Sequence, residues 1–229
     1  MTAYPHAFVF DLDGVITDTA HLHFVAWRDL AASVGVPFDA AFNEQLKGVS
    51  RVDSLERILA QSPRRYSADE KAGMAERKNA QYLELVERMT PADLLPGALD
   101  ALQAARAAGC GVALASASKN AARVLERLGI AQAFDHVVDA NLIAQSKPHP
   151  EVFIEAALAL SVHPADCVGI EDAVAGIQAV RAAGMFALGV GDPRVLTEAD
   201  QVVPDLRHFV PSNYLRAGYH LRWVRRQER

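Results

Sequence analysis

Two aspartates, Asp11 and Asp13, end an unbroken apolar run, Ala7-Phe-Val-Phe10, and a glycine follows them. Such a run predicts a strand that is buried on both faces. An unpaired carboxylate at the end of a buried strand costs more free energy than a packed side chain contributes, so the pair indicates a bound cation. Two solvated turn aspartates are the plain structural alternative. A calcium loop of the EF-hand type is excluded, because its sixth position requires a glycine and would fall on Ile16.

Three further polar clusters follow apolar segments that predict strands. Ser116-Ala-Ser-Lys-Asn120 offers hydroxyls, an ammonium group and backbone N–H groups, a combination that suits an anion. Ser146-Lys-Pro148 places a lysine in a loop stiffened by proline. Glu171-Asp172 adds two more acids ahead of a predicted helix. Each cluster also has a structural alternative, namely a helix cap at Ser118, a solvated Lys147 and a stabilised helix dipole at the acidic pair.

Taken together, the four clusters predict chemistry on a phosphoryl group. Ligands of an open parallel sheet bind at the carboxyl ends of its strands, where all four clusters would lie. Carboxylates and phosphate oxygens are ligands of Mg²⁺. A carboxylate nucleophile at Asp11, a metal ion and Lys147 would form a phosphoryl-transfer site with an aspartyl-phosphate intermediate, and Asp13 would carry the proton. The chain has no P-loop sequence, and Gly189-Val-Gly191 is too weak a match to indicate a dinucleotide site.

The elements that must position these residues follow from periodicity. From Pro96 onward, predicted helices over 98–108, 121–128, 151–160 and 174–183 alternate with short apolar strands, as in parallel βαβ units. We therefore predict an α/β fold with a Rossmann-like parallel-sheet core.

The segment between the first and second strands has only helical signals. Apolar residues repeat every four positions over 21–34, and two patterns typical of capping boxes begin at Ser50 and Ser67. We predict a helical cap domain over 16–89, inserted after strand 1 into a core of 1–15 and 90–229. Lys78 shares an apolar helix face with Met74 and Tyr82, where its ammonium either reaches the rim or faces a cleft.

Composition limits the remaining classes of function. The net charge of −5 argues against nucleic acid as a partner. No apolar run approaches the ~20 residues of a membrane span, and no signal peptide is evident, so we expect a cytoplasmic protein. The two cysteines suggest neither a disulfide framework nor a zinc site. The arginine-rich end over 211–229 predicts a surface helix or a frayed end, and we expect a monomer.

These motifs resemble those of the β-phosphoglucomutase family, within the haloacid dehalogenase superfamily. The resemblance covers about residues 7–193 and leaves out the arginine-rich end. Its more specific parts are Lys47-Gly-Val-Ser-Arg51 with Ser54 and the Ser116–Asn120 run. It implies an enzyme that interconverts β-D-glucose 1-phosphate and D-glucose 6-phosphate through an aspartyl phosphate and β-glucose 1,6-bisphosphate, with sugar phosphates as its small-molecule partners.

The resemblance also implies roles for individual residues. Asp11 would be phosphorylated, Asp13 would act as general acid and base, and Mg²⁺ would be held by Asp11, the Asp13 carbonyl, Glu171 and Asp172. The implied substrate-binding residues are Thr19, His23, Lys47, Gly48, Arg51, Ser54, Lys78, Ser116, Ala117, Ser118, Asn120 and Lys147. Among them, Ser116 and Lys147 would bind the transferring phosphate. Arg51, with Ser118 and Asn120, would bind the other phosphate.

Two other functions stay open from the sequence. A sugar-phosphate phosphatase would use the same scaffold with water as the final acceptor, although Arg51 and Lys78 count against it. A catalytically silent sugar-phosphate sensor would not need both Asp11 and Asp13.

Overall fold

A computed structural model describes residues 6–46 and 49–214 of the chain. The predictions made for Lys47, Gly48 and the arginine-rich end from Leu215 onward fall outside these residues.

The predicted parallel sheet is confirmed, with six strands in the order β3-β2-β1-β4-β5-β6 and every neighbouring pair parallel. The strands are β1 (Ala7–Phe10), β2 (Gly111–Leu114), β3 (His136–Val137), β4 (Cys167–Glu171), β5 (Phe186–Val190) and β6 (Gln201–Val203). The sequence patterns predicted the first five strands. They missed β6, a three-residue strand of which two residues are not fully buried.

Eight α-helices accompany the sheet in the described residues. They are α1 (Ala20–Ser33), α2 (Ala40–Glu44), α3 (Arg51–Leu59), α4 (Ala68–Val86), α5 (Ala98–Ala107), α6 (Ala121–Arg127), α7 (Glu151–Ala159) and α8 (Val174–Ala182). The short helix α2 was not predicted, because five residues are too few to show a helical period. None of the helices that the structure describes combines the length and the apolar character that crossing a bilayer requires.

Helices cover both faces of the sheet, as its fully apolar strands require. On one face, Phe8 and Phe10 of β1 pack in a core with Leu102 of α5 and Leu125 of α6. On the other face, Val9 packs in a second core with residues of α7 and α8. Because β1 lies between β2 and β4, its carboxyl end is enclosed by the ends of both neighbours.

The four helices α1 to α4 stand between β1 and β2 and have a core of their own. Trp27 and Leu30 of α1 pack there with Leu55 and Ile58 of α3 and with Met74 of α4. The starts of α3 and α4 match the two predicted caps. Ser67 and Glu70 form a complete reciprocal capping box at α4, whereas at α3 the Ser50 hydroxyl oxygen accepts from the Asp53 N–H without the reverse backbone contact.

Two connections join these helices to the sheet, and they lie side by side. The Thr17 hydroxyl donates to the Asp93 carbonyl at 2.7 Å. The Leu95 N–H donates to the Ile16 carbonyl at 2.9 Å. The outgoing and returning chains are therefore tied together beside the acidic end of β1.

Candidate active site

The carboxyl ends of β1 and β4 bring three acids together. One carboxylate oxygen from each of Asp11, Glu171 and Asp172 lies within 4.8 Å of the others. The Asp11 N–H donates to the Ile170 carbonyl at 2.9 Å, which fixes Asp11 beside the end of β4. Asp11 and Glu171 are buried. The strand register therefore gathers acids that lie 160 residues apart in the sequence.

Lys147 inserts its ammonium group among these carboxylates. Its Nζ donates to Asp11 Oδ1 and to Glu171 Oε1, both at 2.6 Å, and to the Ala115 carbonyl at 3.1 Å. The same nitrogen lies 4.9 Å from the centre of the Phe153 ring. Burial alone would lower the pKa of Lys147, but Asp11 and Glu171 raise it above its usual value. The lysine is therefore a fixed positive charge beside Asp11.

The two aspartates of β1 both have elevated pKa values. Burial raises the pKa of Asp11 to about 6, while the Lys147 charge opposes the shift. Burial and then the neighbouring Asp11 charge raise the pKa of Asp13 to about 7. Asp13 Oδ1 is buried without a hydrogen-bond partner in the described part of the chain. A carboxyl that gains and loses its proton near neutral pH is suited to general acid and base catalysis.

The acidic cluster fits a divalent cation. Carboxylate oxygens are the ligands that hard divalent ions prefer. Two glycines make room for them: a Cβ at Gly176 would overlap the Glu171 carboxyl group, and a Cβ at Gly14 would overlap the Asp172 carboxylate. Gly14 also has a φ of +82°, which glycine adopts without strain. The backbone around the acids is therefore shaped to leave their oxygens clear.

The loop after β2 supplies hydroxyl and amide groups near Asp11. Ser116 is buried, and its hydroxyl oxygen accepts from the Ser118 N–H at 3.1 Å. The Ser118 hydroxyl oxygen accepts from the Asn120 N–H at 3.3 Å. Ala117, Ser118 and Asn120 line the same cavity as Asp11 and Asp13. These contacts fold the loop so that its polar groups surround the space above the acids.

Helix α1 contributes the half-buried His23, and α4 the buried Lys78, to the lining of that cavity. Lys78 Nζ lies 2.6 Å from His23 Nδ1 and 4.5 Å from the centre of the Trp27 ring. His23 stacks on Tyr82 with ring centres 4.1 Å apart. Burial, Lys78 and Arg51 lower the pKa of His23 well below its usual value, so the imidazole is neutral. Lys78 Nζ and His23 Nδ1 share a hydrogen bond whose direction depends on which ring nitrogen carries the imidazole proton.

The remaining predicted residues lie as follows. Arg51 and Ser54 of α3 line the cavity with His23 and Lys78. Thr19 is buried at the start of α1, where its side chain does not cap the helix. Ser116 and Lys147 are buried and do not line the cavity themselves, but they contact Ser118 and Asp11, which do. The structure thus brings the described members of the predicted set around one space, and their individual roles stay predictions.

Among the residues around this space that were not singled out from the sequence, Trp27, Asn43 and Asn79 carry aromatic or amide groups. Trp27 and Asn43 line the cavity. Asn79 of α4 accepts a hydrogen bond from the Asn120 side-chain amide at 2.7 Å. Trp27 reads as an ordinary core residue in its helix, and Asn43 belongs to the short α2 that was missed. Only Asn79 could have been found from the sequence, because it directly follows Lys78, which was a predicted site residue.

Comparisons with known proteins agree with this arrangement. The chain is 47% identical over 199 residues to a β-phosphoglucomutase of Bacillus subtilis strain 168, covering 86% of this chain and 88% of the relative. A hexitol phosphatase B of Escherichia coli K12 is 32% identical over 206 residues, with 88% and 90% covered.

A solved structure is also similar. The crystal structure of a β-phosphoglucomutase from Clostridium difficile has a TM-score of 0.90 and 45% sequence identity, covering 96% of this chain and 99% of that one. The family model for haloacid dehalogenase-like hydrolases matches residues 5–184. The sheet, the acidic end of β1 and these matches lead to one conclusion: the chain belongs to the haloacid dehalogenase-like hydrolase family.

Proposed function

We propose that this chain is a β-phosphoglucomutase, which interconverts β-D-glucose 1-phosphate and D-glucose 6-phosphate through an aspartyl phosphate and β-glucose 1,6-bisphosphate. One observation carries the proposal beyond the family. Arg51 and Lys78, on the helical segment, line the same cavity as Asp11 and Asp13 on the sheet. A mutase must hold a sugar with two phosphates, so it needs positive charge at both ends of the cavity.

In the proposed cycle, phospho-Asp11 gives its phosphoryl group to the 6-hydroxyl of β-glucose 1-phosphate. Asp13 takes the hydroxyl proton as the new O–P bond forms, and Asp11 leaves as a carboxylate. The bisphosphate then reverses its orientation. Asp11 attacks the phosphorus of the 1-phosphate, and Asp13 returns the proton to the sugar oxygen, which completes glucose 6-phosphate.

The surrounding residues would reduce charge repulsion and orient the sugar. Lys147, 2.6 Å from Asp11, offsets the repulsion between the carboxylate and the phosphoryl group. A divalent ion, Mg²⁺ in this proposal, would be held by Asp11, the Asp13 carbonyl, Glu171 and Asp172, and would supply further positive charge to the phosphoryl oxygens. Ser116 would bind the transferring phosphate, and Arg51, Ser118 and Asn120 would bind the other.

The helices α1 to α4 would serve as a cap domain that closes over the cavity. The cluster around Trp27 and Ile58, and the paired connections at Ile16–Thr17 and Asp93–Leu95, support a division at about residues 16 and 89. Helices α1 and α4 also pack against the sheet, through Leu22 and Tyr82. A closed cap keeps water from the aspartyl phosphate. The cytoplasmic location and the monomeric state stay predictions from the sequence.

The test is ³¹P NMR of the protein with Mg²⁺, β-glucose 1-phosphate and a trace of β-glucose 1,6-bisphosphate. We expect the anomeric phosphate signal to convert to glucose 6-phosphate with little inorganic phosphate, and we expect Asp11→Asn to abolish the conversion. Accumulating inorganic phosphate would favour the phosphatase, the class to which the Escherichia coli relative belongs by name. An unchanged spectrum would favour a binding protein.

A further inference from the structure

A hydrogen bond on the outer side of the cavity joins the helical segment to the sheet-bearing part of the chain. The Ser146 hydroxyl donates to Asp53 Oδ2 at 2.7 Å, across 93 positions of sequence. In the described ranges, no other side-chain hydrogen bond links α3 to residues outside the helical segment. We call this contact the Asp53–Ser146 latch.

Both members of the latch stand next to a basic residue of the site. Asp53 is two residues from Arg51, which lines the cavity from α3. Ser146 directly precedes Lys147, whose ammonium contacts Asp11 and Glu171. The latch therefore forms only when the start of α3 and the Lys147 loop approach each other, which is also when Arg51 lines the same cavity as Asp11, the partner of Lys147.

The Asp53 carboxylate is held in position to accept the hydrogen bond from Ser146. The Ser50 hydroxyl donates to the same Asp53 oxygen at 2.7 Å, and the Asp53 N–H donates back to the Ser50 oxygen at 3.1 Å. Hydrogen bonds from Ser146 and Ser50 lower the pKa of Asp53 below its usual value. An ionised acceptor whose position is fixed by its own helix cap makes a stronger hydrogen bond than a neutral, mobile one.

Apart from the connections at Ile16–Thr17, the other side-chain hydrogen bonds between the two parts of the described chain lie on α4 or just after it. Asn79 accepts from Asn120 at 2.7 Å, and Arg123 pairs with Glu87 through two contacts of 2.6 Å. Glu87 directly follows α4 and is close in sequence to the returning connection at Asp93–Leu95. The α3 side is the part of the helical segment that these contacts leave free to lift away.

We propose that Asp53 and Ser146 are positioning residues whose hydrogen bond holds α3 closed over the acidic end of β1. The proposal rests on the proposed function in one respect: the closed state is the one that transfers the phosphoryl group to a sugar and excludes water. A hydroxyl-to-carboxylate bond at a partly exposed position shifts an open-to-closed equilibrium by about three- to tenfold. Losing it admits water to phospho-Asp11 more often.

The first experiment measures closure directly, in the protein alone, so that it does not depend on the substrate. Nitroxide labels are placed on Gln61→Cys, just after α3, and on Glu155→Cys in α7; both positions are exposed, and the native cysteines are buried. Pulsed electron resonance then gives the distribution of label distances. We expect Ser146→Ala to add a longer-distance population that Ser146→Thr, which keeps the hydroxyl, does not show.

The second experiment measures the chemical consequence. We expect Ser146→Ala to raise the inorganic phosphate released per glucose 6-phosphate formed by about three- to tenfold. Ser146→Thr should restore the wild-type ratio, and Ser212→Ala, at an exposed serine far along the chain, should leave it unchanged. Because Asp53→Asn removes the charged acceptor, its effect should not add to that of Ser146→Ala.

The two measurements separate this proposal from the proposed function. If the wild type makes no glucose 6-phosphate, the mutase proposal fails while the distance measurement still tests the latch. If Ser146→Ala and the wild type give the same distance distribution, the latch does not hold α3 closed and the proposal is overturned, whatever the product ratio.

Discussion

Asp11 and Asp13 are separated by one residue, and the structure gives them different surroundings. Asp11 shares Lys147 with Glu171, so a positive charge accompanies it at all times. Asp13 Oδ1 has no partner among the described residues, and its pKa is raised to about 7. The first environment suits a nucleophile, and the second suits a group that exchanges a proton.

The first prediction separates these two roles by the leaving group. Asp13→Asn should reduce transfer between Asp11 and a sugar oxygen by about 10²- to 10⁴-fold, because the sugar oxygen needs a proton to leave. Acetyl phosphate has a leaving group that needs no acid, so it should still phosphorylate Asp11 in the variant. Intact-protein mass spectrometry measures the phosphorylation, and ³¹P NMR measures the transfer.

Asp11→Asn is the matched control, since it should remove both reactions. Equal loss of both reactions in Asp13→Asn would contradict a proton-transfer role for Asp13.

The second prediction concerns Lys78. Burial and the Arg51 charge lower its pKa from 10.5 to about 7. Between these values the unfolded chain binds a proton that the folded chain has lost, so the free energy of unfolding rises with pH. We expect the wild type to gain more than about 1 kcal/mol relative to Lys78→Met between about pH 7 and pH 9.5, measured by urea unfolding. Parallel pH dependences of the two proteins would show that Lys78 keeps an ordinary pKa.

At the scale of residues, the sequence predicted the chemical groups better than their environments. Asp11 and Glu171 were placed at strand ends, and Lys147 in a loop after a strand, by simple rules. The direct contact of the Lys147 ammonium with both carboxylates was not predicted, because it depends on how a loop folds back over 136 positions. Trp27 and Asn43 were missed because cavity-lining and core side chains look alike in a helical pattern.

At the scale of elements, one glycine of α8, Gly176, allows the helix to pack beside the Glu171 carboxyl group. A Cβ at Gly176 would overlap the Glu171 carboxyl group, which bonds the Lys147 ammonium and accepts from the Ala173 N–H at 2.9 Å. Any larger residue at this position must displace Glu171. Gly176 lowers the intrinsic helix propensity of α8, but it leaves space for the Glu171 carboxyl group.

The third prediction compares two glycine-to-alanine changes within helices. Gly176→Ala should destabilise the protein by about 1–3 kcal/mol, because it forces Glu171 away from its partners. Gly73→Ala in α4 meets only the end of the Arg77 side chain, at 3.5 Å, and should stabilise the protein by about 0.5–1 kcal/mol. Urea unfolding measures both, and a change of the same sign in the two variants would contradict the prediction.

Most elements were predictable because their signals are local. The reciprocal contacts of Ser67 and Glu70 set the start of α4, and the apolar run of Ala7–Phe10 predicted β1. The exceptions, α2 and β6, are short and less regular in burial. The conformation of these two segments depends on packing against neighbouring elements, which a local sequence pattern does not show.

At the scale of the whole molecule, the two connections between the helical segment and the sheet act as one joint. Thr17 and Leu94 form an isolated bridge, flanked by the Thr17–Asp93 and Leu95–Ile16 hydrogen bonds. The joint lies beside Asp13, so any movement of α1 to α4 would pivot close to the site.

The fourth prediction tests this joint. Thr17→Val keeps the shape of the side chain and removes its 2.7 Å hydrogen bond to Asp93. We expect faster amide hydrogen exchange at Leu95, by about three- to tenfold, because the bridge opens more often. Exchange at Val9, in the central strand, is the internal control and should not change. Unaltered exchange at Leu95 would show that the backbone alone holds the joint.

The predicted parallel sheet was confirmed, and it brings the carboxyl ends of β1 and β4 side by side. The order of strands beyond β1 and the closeness of the helical segment to the cavity could not be read from periodicity, because both depend on contacts across the whole chain.

The central place of β1 has a consequence for the synthesis of the protein. β1 pairs with β2 and β4, and the second of these partners lies 160 positions later. At about 5–20 residues per second, a ribosome needs roughly 8–32 s to add that partner. During this whole interval at least one edge of these four consecutive apolar residues has nothing to pair with, in the form that favours aggregation. The strand that ends at Asp11 is thus the segment that most needs shielding on the nascent chain.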